Sequence, residues 1–92
     1  MGDLYTKQGK LKEGEAELRK ALAYLTGIVK EPNPEIANIK ASLGRNLAAQ
    51  EKYREAEELF RSAYESLAKT NGKDHPETVS VGKELESVSG KL

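Results

Sequence analysis

The sequence has no cysteine, no tryptophan, one methionine, three prolines and one histidine in 92 residues. Without cysteine there is no disulfide framework and no thiolate metal site, which fits a reducing compartment and a cytoplasmic chain. His75 has no second histidine to share a metal with and no cysteine to activate, so a nucleophile–base set and a ligand cluster are both missing. Neither a G-x-G-x-x-G nor a G-x-x-x-x-G-K-[ST] phosphate loop occurs. No apolar run approaches the roughly 20 residues of a membrane span, and the N-terminus lacks the apolar core of a signal peptide. The 15 basic and 15 acidic side chains cancel, whereas a binder of nucleic-acid phosphates normally carries a basic excess. The expectation is a non-catalytic chain with no cofactor, no metal, no membrane contact and no nucleic-acid partner.

What is present is a repeat. At an offset of 42 the chain matches itself at eleven positions, among them Gln8/Gln50, Lys10/Lys52, Glu15/Glu57, Arg19/Arg61, Ala21/Ala63, Pro34/Pro76 and Leu43/Leu85. A fixed period of this length points to stacked helical units. Apolar residues step by three and four through Leu11, Gly14, Leu18, Ala21, Leu22, Leu25 and Ile28, through Ile36, Ile39, Leu43 and Leu47, and through Tyr53, Ala56, Phe60, Ala63, Tyr64 and Leu67. This is helical spacing, and no period-two stretch suggests a strand. The stripe weakens through Val81, Leu85 and Val88. Pro32 and Pro34 break one helix, and Asn33 is placed to cap the next with Pro34 at its first position. One period later Gly72 is suited to close a helix and Asp74 or His75 to cap the following one. Tighter turns are expected near Gly9-Lys10 and Glu51-Lys52. The reading is five helices, roughly 2–8, 11–29, 35–49, 53–70 and 76–89, in a single domain spanning 1–92.

The order of small and large residues in Leu43-Gly44-x-x-Leu47-x-x-Gln50-x-Lys52-Tyr53-x-x-Ala56-x-x-x-Phe60-x-x-Ala63 resembles a tetratricopeptide repeat. The 42-residue period and the Gly72-Lys73-Asp74-His75-Pro76 connector are similar to the kinesin light chain type of that family. The resemblance implies an all-α fold of antiparallel helix-turn-helix units stacked in a right-handed superhelix. It divides the chain into a partial first repeat (1–33), a complete repeat (34–75) and a capping helix (76–92). Glu86 stands where Gly44 stood one repeat earlier, and a charge there suits a polar C-terminal cap. With about two repeats the core is thin, so the expectation is marginal stability or self-association through a clipped N-terminal helix. The start at Met1-Gly2, mid-helix in the repeat register, suggests an excised domain or a fragment of a longer array.

Several polar features have bland explanations. Glu13, Glu15, Glu17, Glu55, Glu57 and Glu58 fall early in their helices, where negative charge suits the dipole, and Glu57 and Arg61 are spaced as a surface pair. Gly14 and Gly44 fit close helix crossings. Tyr5, Tyr24, Tyr53, Phe60 and Tyr64 fall mostly on apolar stripes and read as core. In the family the first helix of each repeat lines a concave groove, and the resemblance assigns Asn38, Ala41, Ser42, Arg45, Ala48 and Ala49 to it, with Asp3, Thr6 and Lys7 before them and Ser80, Lys83, Glu84 and Ser87 after. Small side chains leave room for a peptide, Asn38 can bond to an extended backbone, and Arg45 can hold a carboxylate. The implied function is a protein–protein interaction module binding a peptide or partner helix. Alternatives are a structural or self-associating segment of a longer array and a regulatory appendage of a larger enzyme or transcription regulator.

Overall fold

The computed structural model describes the backbone of residues 2–92 and the side chains of residues 9–92. It contains four helices and no strands among the described residues: α1 (Gly2–Ile28), α2 (Pro34–Ala49), α3 (Tyr53–Thr70) and α4 (Pro76–Ser89). The 42-residue offset holds at the helix ends: α2 and α4 start on Pro34 and Pro76, and α1 and α3 end on Ile28 and Thr70. Each helix packs on the next in chain order. Short connections force neighbours to run antiparallel.

Local chemistry sets the boundaries. Asn33 Oδ1 accepts the backbone N–H groups of Glu35 at 2.8 Å and Ile36 at 3.2 Å, satisfying two donors that the helix leaves unpaired. At the start of α4 the capping acceptor is His75 Nδ1, 3.2 Å from the Glu77 N–H, rather than Asp74. Gly72 takes φ +94° and donates to the Leu67 carbonyl, closing α3 in the left-handed conformation glycine tolerates. Between α2 and α3 the chain reverses at Glu51, φ +65°, with the Lys52 N–H bonded to the Leu47 carbonyl at 2.9 Å.

The turn expected near Gly9-Lys10 does not form. α1 runs unbroken through it, so the helices expected at 2–8 and 11–29 are one and the count is four, not five. The reversal at Glu51 is anchored by fully buried Leu47, on which α2 and α3 close. At Gly9 a Cβ would meet nothing within 4 Å. With no proline here and nothing among the described residues packed against position 9 to impose a break, continued backbone hydrogen bonding outweighs the glycine penalty of about 1 kcal/mol. Gly9→Ala is therefore expected to stabilise the protein by about 1 kcal/mol in urea denaturation. Destabilisation would mean that position 9 takes the left-handed geometry of Glu51.

The core joins Ala37, Ala41, Leu43 and Leu47 of α2, Ala56, Phe60, Ala63 and Leu67 of α3, and Val81 and Val88 of α4, with Leu18 and Leu22 of α1 packed against it. α3 covers the α2 face that carries Gly44, and a Cβ on that glycine would lie 2.9 Å from Phe60 Cε1. On α4 the counterparts of Ala37 and Gly44, Val79 and Glu86, are exposed. Tyr24, expected in the core, is 69% exposed. Its helix turns that face away from α2.

Thr78 occupies the register position of Ile36. Both are fully buried, and the Thr78 hydroxyl has no hydrogen-bond partner. An unsatisfied buried hydroxyl is destabilising. Thr78→Val, which keeps the shape and removes the polar atom, should raise unfolding stability by about 1 kcal/mol.

Candidate functional site

Because α2 and α4 occupy the same place in successive repeats, they lie side by side across α3. Between them is an open hollow of about 310 Å³, walled by Asn38, Ser42 and Arg45 from α2 and by Glu77, Ser80 and Val81 from α4. Proline starts both helices at the same register, which brings Asn38 and its counterpart Ser80 to facing walls. Val81 forms an apolar floor, being 2% exposed.

Four of the residues expected in the groove, Asn38, Ser42, Arg45 and Ser80, therefore meet around one hollow. Lys83 and Ser87 are on α4 beyond it, and Ala49 is exposed at the end of α2. Ala48 packs against the core. Ala41 is corrected: it is 1% exposed and belongs to the core, out of reach of any ligand. Its small size reflects close helix packing rather than room for a peptide. The side chains of Asp3, Thr6 and Lys7 lie outside the described residues. Two wall residues, Glu77 and Val81, were missed. Glu77 looks like a helix-start carboxylate and Val81 like a core position, and both are; the repeat spacing that sets Ser80 opposite Asn38 was the available signal.

Arg45 and Glu84 were expected as separate contacts. They form one ion pair across α2 and α4, with Arg45 Nε 2.9 Å from Oε1 and 2.8 Å from Oε2. It is the only hydrogen bond or ion pair joining these two helices among the described residues. Elsewhere, repeat-equivalent pairs brace the helices: Arg19 with Glu15 at 2.8 Å, and Arg61 with Glu57 at 3.2 Å. Gln50 Nε2 bridges from the end of α2 to Glu15 at 3.0 Å, and Asn46 Nδ2 donates to the Leu11 carbonyl at 2.8 Å.

The amide of Gln50 and then the guanidinium of Arg19 hold the Glu15 carboxyl below the usual carboxylate range. A group whose folded pKa is depressed stabilises the fold above its unfolded value, near 4.3 for glutamate, and loses that contribution as pH falls through the folded value. Glu15→Gln should accordingly flatten the stability-against-pH curve on the acid side of about 4.3, measured by denaturation from pH 7 to pH 3. An unchanged acid limb would show that the α1–α2 bridge does not form.

Among the described residues no three His, Cys, Asp or Glu side chains come together as a metal site, and no helix is long and apolar enough to cross a membrane. The geometry defines a class: an all-helical stack of antiparallel hairpins that offers a surface between equivalent helices. A family model described as tetratricopeptide repeat matches residues 1–69, and the chain belongs to the tetratricopeptide repeat family. No curated protein matches the chain. Family membership makes it a protein–protein interaction module in general terms, in a family whose members are generally non-catalytic scaffolds.

Proposed function

We propose that the chain binds an extended peptide or a partner helix in the groove between α2 and α4, without chemistry, as a cytoplasmic scaffold module of the kinesin light chain-like type. The observation carrying this reading is the hollow itself. Asn38, Ser42 and Ser80 offer side-chain donors and acceptors around an apolar floor, a combination suited to fixing a peptide backbone while burying a side chain. The 42-residue period and the connector from Gly72 to Pro76 support the subtype.

The test is to pan a displayed peptide library against the chain and against an Asn38→Ala/Arg45→Gln variant of equal helicity by circular dichroism. Peptides that bind the wild type and fail on the variant are expected. Peptides binding both equally would put the working face elsewhere.

A second reading, self-association through α1, draws on Tyr24 and Ile28, one turn apart and 69% and 60% exposed. A sedimentation mass that rises with concentration, and that Tyr24→Lys abolishes, would favour it.

A further inference from the structure

The four asparagines, Asn33, Asn38, Asn46 and Asn71, precede Pro34, Ile39, Leu47 and Gly72. The backbone nitrogen that follows an asparagine can attack its side-chain amide carbon, because both lie in one chain and close a five-membered ring. Proline has no N–H to give up, and the branched side chains of Ile39 and Leu47 obstruct the approach. Gly72 presents neither obstacle: it is exposed, and even a Cβ there would meet nothing within 4 Å. The fold nevertheless keeps the reacting atoms apart. Asn71 closes α3 with ψ −14°, which turns the Gly72 nitrogen toward Asn71's own nitrogen and away from its Cβ. The Gly72 N–H is donated to the Leu67 carbonyl at 3.1 Å, beside the Asn71 N–H at 2.7 Å. Leu67 is fully buried, so the core fixes that acceptor. Ring closure needs a rotation about the Asn71 Cα–C bond, and that rotation breaks the Gly72 bond.

We propose that Asn71 is a site of covalent modification by deamidation, restrained by the stop of α3 and released when that stop opens. In the open turn the Gly72 N–H gives its proton to water and the nitrogen bonds to Asn71 Cγ. The Cγ–Nδ2 bond breaks, and the amide takes up a proton and leaves as ammonia. Water then opens the cyclic imide: cleavage at Cγ gives aspartate, and cleavage at the backbone carbonyl gives isoaspartate, with the chain running through Cγ. No electrons are transferred, and water is the only co-reactant. Isoaspartate adds a backbone carbon before Gly72, so the Gly72 N–H no longer reaches Leu67 and the connector to α4 is released. Aspartate keeps the backbone and places a negative charge at the C-terminal end of α3, where the helix dipole disfavours it.

The test incubates the whole chain in mildly alkaline buffer, folded and in guanidinium chloride above its unfolding midpoint. Peptide mass spectrometry follows conversion at each asparagine, with fragmentation that separates isoaspartate from aspartate. In denaturant Asn71 should convert to both products while the other three asparagines stay intact, and Gly72→Ala should lose the conversion over the same period. The folded chain should convert at least about tenfold more slowly, because the stop must open first. In the purified isoaspartate product the Gly72 amide should exchange its hydrogen at least about tenfold faster than in the unreacted chain. Asn71→Asp should keep that protection, with an unfolding equilibrium constant raised only about two- to fivefold. Conversion at Asn38 or Asn46 as fast as at Asn71 would remove the site, and aspartate without isoaspartate would replace the cyclic route by direct hydrolysis. Equal rates in the folded and unfolded chain, or unchanged Gly72 exchange in the isoaspartate product, would show that the Leu67 closure is not the restraint. Any of these overturns the proposal.

Discussion

Phe60→Ala is expected to cost about 3–5 kcal/mol, the range for deleting a buried aromatic ring. At about 0.05–0.15 kcal/mol per residue, a chain of 92 residues has roughly 5–14 kcal/mol in total. Phe60 is the only phenylalanine and is 1% exposed. It lies in α3, the central helix of the stack, and its ring covers Gly44 on α2. Three features make the loss large here. The core is a single layer shared among four helices, so few other side chains can move into the space. The surrounding residues Leu43, Leu47, Ala56 and Ala63 are themselves fully buried. Ala56 and Ala63 are also too short to reach across the gap. Thermal denaturation should show the midpoint falling by about 12 °C or more, at roughly 4–8 °C per kcal/mol for a domain of this size. A loss below about 1 kcal/mol would be incompatible with the ring filling the centre of the core.

How far the sequence foretells this structure depends on the range of the interaction. Features decided within a few residues were legible. Asn33 beside Pro34 predicts a capped helix start, Gly72 predicts a helix stop, and the apolar stripes predict which faces of α2 and α3 close on each other. Helix-start chemistry is local, and the repeat doubles each signal. Contacts between residues far apart in sequence were not legible. Arg45 pairs with Glu84 39 positions away, and Gln50 reaches Glu15 35 positions away. A polar residue destined for such a pair has the same sequence pattern as one left in water. Ala41 failed for a related reason: a small residue is equally at home where helices cross closely and where a ligand needs room. Burial decides between them. The break expected at Gly9 was a transfer from Gln50-Glu51-Lys52, where the Lys52 N–H bonds back to the carbonyl of Leu47, a fully buried residue of α2. Gln8 and Lys10 match Gln50 and Lys52, but glycine stands in place of Glu51, and nothing among the described residues lies within 4 Å of a Cβ at position 9.

Gly44→Leu is expected to destabilise by about 3 kcal/mol or more, at the upper end of overpacking effects. A Cβ at position 44 would stand 2.9 Å from Phe60 Cε1 and 3.1 Å from Cδ1 and Cζ, closer than packed carbons tolerate, and the ring is enclosed by core on its other sides. Leucine adds three further carbons in the same direction. The gain of about 1 kcal/mol from replacing a helical glycine with a better helix former is too small to offset this. The same geometry predicts a rescue. Phe60→Ala removes the atoms that the new side chain strikes, so in the double variant the introduced leucine can fill part of the ring's volume from the opposite helix. If the two changes were independent, their costs would add to about 6 kcal/mol or more. Contacting residues depart from additivity by about 0.5–3 kcal/mol, and the double variant should be more stable than the sum by an amount in that range. Urea denaturation of the wild type, both single variants and the pair measures the coupling directly. Strict additivity would mean that α2 and α3 do not meet at this crossing, and the hollow between α2 and α4 would lose the scaffold that sets its walls.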